Sequence, residues 1–514
     1  MAGRKNGIRN SKKGDSRNRP RSYLCNGNQL ESATMKKLFR LGGASSVLTA
    51  LLPLNPLSAQ QAATEAEPAS GQRPMNIIFY LVDDMGYGDL GYLGNRMVES
   101  PAIDAFAAES SVFTNAYAAP ESSPTRASLL TGKNPARLHL TTWIPQKGSR
   151  KASEYRGWRV PEEARGVALE ETLISEALKA HGYDTWHIGK WHIGEGELSP
   201  RNQGFDSDTG YWPWSFPRSY FSPYGLQTLQ DGPEGEYLTD RLTDEAVKLI
   251  KNHSDRPFFL NLWHYAVHEP LRAKDSLTAY YRAKGAPEEG KNKAVYTAMK
   301  HSVDENFAKI LKAVEEAGIE QNTVIVFFTD NGGVVRHADN GPLRQGKKYL
   351  YEGGIRVPLV IRDPRHPGAR RIDTPVSSID FYPTMLEWAG IDPAEVDQHL
   401  DGVSIAPLLR DEPIADRTLF WHEMGAFGHG PATAMRQGRY KLLRFYARPA
   451  DQQYELYDLS QDIGEQHDLS AEQPERVKQM AREMQQWIRD NGAQLPTRVA
   501  AGTGKQPGKG HRAR

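Results

Sequence analysis

Two short runs constrain this chain more than anything else in it. Residues 76–82 (NIIFYLV) and 323–328 (TVIVFF) are nearly continuous in apolar side chains, most of them β-branched or aromatic. A strand with one wet face would alternate, so these runs read as strands buried on both faces of a mostly parallel sheet covered by helices. Residues 183–188 and 257–263 read as two more. Helical spacing precedes two of the four: Leu169, Leu173, Ala177 and Leu178 closed by Gly182, and Phe307, Ile310, Leu311 and Val314 closed by Gly318. Polar residues follow each run: Asp83-Asp84, Lys190-Trp191-His192, His264 with His268, and Asp330-Asn331. The C-terminal ends of parallel strands share one edge of the sheet, and ligands bind at that edge. Four clusters far apart in sequence are therefore predicted to meet at one site.

An acid pair after a lone strand is an ordinary turn. Two such sets, Asp83-Asp84 and Asp330-Asn331, offer only oxygen donors and suit a hard divalent cation better than zinc. The single cysteine, Cys25, precedes the apparent signal peptide, so the mature chain would hold no disulfide and no thiolate site. A net charge of +1 over 514 residues gives no reason to expect a nucleic-acid partner.

Residues 1–34 are basic and aperiodic and read as a disordered leader or a misassigned start. Residues 35–59 read as a signal peptide: Lys36, Lys37 and Arg40 are its basic region, 41–54 its apolar run, and Leu57-Ser58-Ala59 a cleavage site. The mature protein is thus expected to be exported, periplasmic or secreted, with no integral membrane segment. A catalytic domain is expected over 74–410. From 411 the character changes. Residues 418–421, 440–445 and 454–459 read as short strands, and Val477, Met480, Ala481, Met484, Trp487 and Ile488 share one helical face. This predicts a smaller α+β domain over 411–496, followed by a disordered basic tail over 497–514.

Residues 122–132 (SSPTRASLLTG) begin with a Ser/Pro turn, which alone would mean only a helix start. Together with Leu130-Thr131-Gly132 and the clusters above, the stretch resembles the signature of formylglycine-dependent sulfatases, Cys or Ser followed by x-Pro-x-Arg and then Thr-Gly. The likeness runs from about residue 76 to 469. It implies an alkaline-phosphatase-like fold: a large mixed, mostly parallel sheet sandwiched by helices, with a C-terminal domain of antiparallel strands and a helix. It also implies a sulfuric ester hydrolase whose Ser122 is oxidised to formylglycine (3-oxoalanine). Serine in place of cysteine implies a radical S-adenosylmethionine maturase as partner. A plain serine would form an alkyl sulfate with no easy exit, whereas an aldehyde hydrate keeps a second hydroxyl for expulsion.

The resemblance assigns Asp83, Asp84, Asp330, Asn331 and the converted Ser122 to Ca²⁺ or Mg²⁺. The Gly-Lys-Trp-His-Ile-Gly stretch at 189–194 and the one from Gly346-Lys347 to Val357-Pro358 are similar to further family motifs. On that basis Arg126, Lys190 and Lys347 would hold sulfate oxygens, His192 would deprotonate the hemiacetal, and His268 with Lys347 would protonate the leaving alcohol. Val267 stands where the family has proline, and His264 is the competing histidine. Arg137, His139, Trp143 and His429 are candidate contacts to a sulfated carbohydrate, and Trp212, Trp214, Trp421 and His422 are further aromatic or basic residues in loop-like or second-domain segments. Residues 138–145 (LHLTTWIP) resemble sulfatases acting on galactose-type 4-sulfates. Two other readings stay open: a phosphodiesterase or phosphonate hydrolase of the same superfamily, and a noncatalytic sulfated-glycan binder if Ser122 is never converted.

Overall fold

The computed structural model describes residues 74–148 and 151–499. The leader, the signal peptide, Cys25 and residues 500–514 lie outside the described residues. Eight strands make the main sheet: β1 (Asn76–Val82), β2 (Ser111–Phe113), β3 (Asp184–Lys190), β4 (Ser207–Trp212), β5 (Phe258–Trp263), β6 (Thr323–Thr329), β7 (Leu359–Arg362) and β8 (Arg370–Ile372). Their order is β8-β2-β7-β6-β1-β5-β3-β4. From β6 to β4 all neighbours are parallel, while β7 is antiparallel to both of its own. Every residue of β1, β5 and β6 is buried, as their unbroken apolar runs require.

The helices beside this sheet are α1 (Pro101–Glu109), α2 (Ser122–Thr131), α3 (Ile174–Ala180), α4 (Leu238–Lys251), α5 (Ala294–Glu316) and α6 (Phe381–Ala389). Alternate residues of β1 go to opposite cores. Ile77, Phe79 and Leu81 pack with α2, α3 and α6. Ile78, Tyr80 and Val82 pack with α1, α4 and α5. One of the expected helices is shorter than its spacing suggested: α3 begins at Ile174, and Leu169 is 50% exposed. The Leu173 amide is taken by the Glu176 carboxylate at 2.8 Å, which caps the helix there. The helix before β6 is longer than its apolar spacing indicated, because Lys300, Asp304 and Asn306 are buried on it as well.

Beyond these lie β9 (Thr418–Glu423), β10 (Ala432–Gln437), β11 (Tyr440–Phe445) and β12 (Tyr454–Asp458), an antiparallel sheet in chain order, and helix α7 (Pro474–Asp490). Met480, Ala481, Met484 and Ile488 of α7 cover one face of that sheet. Its other face packs on Tyr117, Leu350, Tyr351 and Ile355. Strand β10 (ATAMRQ) has little β-branching and was not legible from sequence. Thr497 and Arg498, expected in a disordered tail, instead pair with Trp158–Arg159. The Arg498 guanidinium lies 5.0 Å over the Trp158 ring, which holds this end in place. Among the described residues, no helix is long and apolar enough to cross a membrane.

Candidate active site

The four polar clusters do converge. Strands β6, β1, β5 and β3 are consecutive neighbours, so the residues leaving their C-terminal ends share one edge. Val82 is in register with Thr329, which brings Asp83 and Asp330 out side by side. The Asp83 amide donates to Ala266 O at 2.9 Å and the Asp330 amide to Val82 O at 3.1 Å, fixing both exits. Asp84 turns into the left-handed region (φ 62°). There its amide donates to Asp330 Oδ1 at 3.1 Å, and Asn331 Nδ2 donates to Asp84 Oδ1 at 2.8 Å.

Lys190 reaches this cluster through a local irregularity. The pairing register of β3 shifts between Ile188 and Lys190, and Gly189 has φ +100°. A Cβ on Gly189 would lie 2.1 Å from Trp263 O, so only glycine permits the close pass. Beyond it, Lys190 Nζ lies 2.5 Å from Asp83 Oδ2 and 3.1 Å from Ser122 Oγ.

Ser122 is the first residue of α2, after the N-cap Glu121. Its Oγ lies 3.2 Å from Asp83 Oδ1 and 3.4 Å from Asn331 Oδ1. The free amides and dipole of a helix N-terminus favour an anion at this point. One turn later Arg126 donates to Asp330 Oδ2 at 2.8 and 3.2 Å and to Lys190 O at 3.3 Å. Lys347 Nζ donates to Asp84 Oδ1. Its amide is anchored on Gly333 O at 3.1 Å. His268 Nε2 lies 3.6 Å from Asp84 Oδ2 while Nδ1 donates to Glu269 O at 2.6 Å. The turn survives the valine at 267, since Val267 N donates to Asp83 O at 2.7 Å and His268 N to Tyr265 O at 3.0 Å. His192 Nε2 donates to Ile144 O at 2.9 Å, which leaves Nδ1 as a buried acceptor with no partner among the described residues.

Burial, reinforced by neighbouring Asp330, pushes the Asp83 carboxyl well above its ordinary range. Burial acts on Asp84 in the same direction, but Lys347, His268 and Lys190 outweigh it and hold that carboxyl low. Burial brings Lys190 down to about 8 against the pull of Asp83. Lys347 is held above its ordinary value because Asp84, Asp83 and Asp330 outweigh its burial. His268 falls to about 3, and His192 well below its usual range, both mainly through burial. Donor atoms of Asp83, Asp84 and His268 converge within 4.8 Å. Asp330 and Asn331 are bonded into the same cluster. Buried carboxylates that repel one another and offer several oxygens fit a hard divalent cation.

The structure brings Asp83, Asp84, Ser122, Arg126, Lys190, His192, His268, Asp330, Asn331 and Lys347 together. His264 is not among them, since its ring packs 4.9 Å from Tyr80 in the core. Three of the candidate carbohydrate contacts are hydrogen-bonded within the protein. Arg137 follows the C-terminal end of α2 and is held by Asp401 at 2.8 and 3.0 Å. His139 Nε2 donates to Gly492 O at 3.1 Å. His429 takes the Leu350 amide on Nε2 at 2.9 Å among Tyr349, Tyr351 and Phe445. Trp421 and His422 are buried, bonded to Ala118 O and to Thr433 and Gln494 respectively. Trp143 does stay near the site, its amide bonded to Glu121 Oε2 at 3.0 Å. Sequence reasoning missed the support behind Asp84. Tyr296 donates to Asp89 Oδ2 at 2.6 Å and lies 3.2 Å from Asp84 O, and Lys300 donates to Asp89 Oδ1 at 2.8 Å. The polar residues interrupting the apolar face of α5 were the available signal.

A parallel sheet carrying acid pairs, cations and a helix-opening serine at one edge defines an α/β hydrolase of the alkaline-phosphatase-like class, built around an anionic ester. The chain belongs to the sulfatase family: residues 75–391 match the Sulfatase family, and residues 345–494 match the N-sulphoglucosamine sulphohydrolase C-terminal family. A sulfatase from Formosa agariphila is 30% identical, over 91% of this chain and 96% of that protein. Human N-acetylgalactosamine-6-sulfatase is 32% identical, over 69% of each chain. Among solved structures, Ps i-CgsB in complex with k-i-k-neocarrahexaose superposes with a TM-score of 0.70 and 32% identity, covering 82% of this chain and 94% of that one.

Proposed function

We propose that this sulfatase hydrolyses sulfate esters on a sulfated saccharide, galactose-type 4-sulfate being the favoured form, through a formylglycine made from Ser122 and a Ca²⁺ or Mg²⁺ ion. The observation that carries this reading is the setting of Ser122 Oγ: 3.1 Å from Lys190 Nζ, 3.2 Å from Asp83 Oδ1 and 3.4 Å from Asn331 Oδ1, at a buried helix start. A hydrated aldehyde there supplies one hydroxyl for attack on sulfur and a second for expulsion of sulfate. Asp83, Asp84, Asp330 and Asn331 would hold the cation, which supplies positive charge to the sulfate oxygens and acidity to the hydrate.

The chain's own residues do the rest. Lys190 and Arg126 carry fixed positive charge toward the ester and brace Asp83 and Asp330. His192, neutral and with Nδ1 free to accept, takes the proton that lets sulfate depart. Lys347 and His268 serve the leaving oxygen. Lys347 is the charged member of that pair, and a bound anionic ester would raise His268 from its low resting value. The saccharide part draws support from the glycan named with the solved relative, from the N-acetylgalactosamine-6-sulfatase, and from residues 138–145. Residues 35–59 support export, and serine at 122 supports a radical S-adenosylmethionine maturase as partner.

The test is co-expression with a Ser-type maturase, followed by mass analysis of the peptide containing residue 122. Active enzyme should show loss of two hydrogens at Ser122. Ser122→Ala should abolish sulfate release and keep the circular dichroism of the parent. Activity in that variant, or an unconverted hydroxymethyl group in active enzyme, would remove the proposed nucleophile. Faster turnover of phosphate diesters than of any sulfate ester would favour the phosphodiesterase alternative.

A further inference from the structure

The segment between β4 and α4 is rich in aromatics, with Trp214 and Phe216 set between Pro213 and Pro217. Phe216 is 42% exposed, yet its ring lies nearly parallel to the His268 imidazole, 6.3 Å between centroids and 20° between planes. Four residues on, the buried Tyr220 hydroxyl is shared between Tyr265 O at 2.7 Å and His268 O at 2.8 Å. That bond ties the aromatic segment to the turn bearing His268. On the opposite loop Val335 is 45% exposed and sits against Gly346, the residue before Lys347. Its neighbour Arg336 pairs with Glu269, the residue after His268. Of the six large hydrophobic side chains markedly exposed among the described residues, two therefore border the Lys347–His268 pair. Single exposed apolar residues need no explanation. Two beside the groups assigned to the leaving oxygen stand where the alcohol part of an ester must lie.

We infer that Phe216 is the platform for the sugar ring that bears the ester, with Val335 as a second apolar contact. The inference rests on the sulfate-ester reading of the Ser122 site. A pyranose presents a face of C–H bonds and a rim of hydroxyls. An exposed aromatic face takes the first and leaves the second free for polar partners. The ring would then lie over Phe216 with its ester oxygen toward His268, so Phe216 sets affinity for the saccharide and not for the sulfate group.

The experiment uses calorimetry on the full-length Ser122→Ala protein, which cannot turn over. The probes are a panel of sulfated oligosaccharides that includes k-i-k-neocarrahexaose, together with inorganic sulfate. Adding Phe216→Ala should weaken the best saccharide roughly tenfold while leaving inorganic sulfate within about twofold, and Phe216→Tyr should restore saccharide binding. Unchanged saccharide affinity in Phe216→Ala, or no saccharide binding by the parent, overturns the platform. Equal losses for saccharide and sulfate also overturn it, because Phe216 would then only prop His268. Sulfate release by the converted wild-type enzyme is scored separately. Its failure with Phe216-dependent binding intact would sink the catalytic reading and leave the platform standing.

Discussion

His268 illustrates how little of a residue's role its type conveys. Two histidines follow β5 within five positions. One lies against Tyr80 in the core, and the other faces Asp84 at 3.6 Å beside Lys347. Position alone separates them, and it suits His268 to the leaving oxygen of the ester. An alcohol as weakly acidic as a sugar hydroxyl needs a proton to depart, whereas a nitrophenolate does not. His268→Ala should therefore lower kcat/KM for a sugar sulfate by roughly a hundredfold and for 4-nitrophenyl sulfate by much less. Parallel loss on both esters would move the acid elsewhere. Ser122 is the other residue whose identity is not enough, since the chemistry proposed for it requires an aldehyde that serine itself does not carry.

At the scale of an element, the end of β3 is the critical joint. Lys190 enters the acid cluster only because the strand slips its register at Gly189, whose φ of +100° and contact with Trp263 O exclude any side chain. Gly189→Ala is expected to cost roughly 2 kcal/mol or more of stability, and to reduce sulfate release further than that loss explains. Thermal melts and kinetics on the folded fraction separate the two effects. A variant with normal turnover would show that the bulge is not what aims Lys190. The glycine itself was conspicuous in the Gly-Lys-Trp-His stretch, but nothing local said that a neighbouring strand's carbonyl lay against it.

The molecule as a whole is held together by more than its two sheet cores. Lys441 of β11 is fully buried between Glu352 and Glu465, each at 2.9 Å, and so joins the C-terminal sheet to the short helix that follows Lys347. Buried neutral histidines set a second global property. His187 and His264 are lowered to about 3 and His422 to about 4, in each case chiefly by burial. Their folded pKa values lie below the unfolded value of ~6.5, so the unfolded chain binds protons that the folded chain refuses. The stability they contribute is complete above pH ~6.5 and is lost as pH falls, toward about 4 for His422 and about 3 for His187 and His264, by up to ~1.4 kcal/mol per pH unit for each histidine. Denaturant titrations between pH 7 and pH 5 should show this decline. Replacing His264 with phenylalanine should make it shallower, and an unchanged slope would show that His264 does not titrate with unfolding.

Much of this was legible before any fold was known. Short unbroken apolar runs rich in β-branched and aromatic residues read as strands covered on both faces, so β1, β5 and β6 as members of a mostly parallel sheet, and the meeting of Asp83, Asp84, Asp330 and Asn331, followed from local composition and the geometry of a sheet edge. The Ser122 signature and Lys347 were legible through their resemblance to sulfatase motifs, and Lys190 also through its place at the end of a buried strand. Tertiary structure alone decided which side chains were already engaged. Arg137, His139 and His429 stand out in the sequence as candidate carbohydrate contacts, and only the fold shows Asp401, Gly492 O and the Leu350 amide bonded to them. Nothing in its own stretch of sequence singles out Phe216, and only the fold sets it exposed beside His268. The physical reason is range. Burial and strand propensity are set largely by a residue's own neighbours in sequence, whereas a pairing strand or a side-chain partner far along the chain is fixed only once the chain has folded.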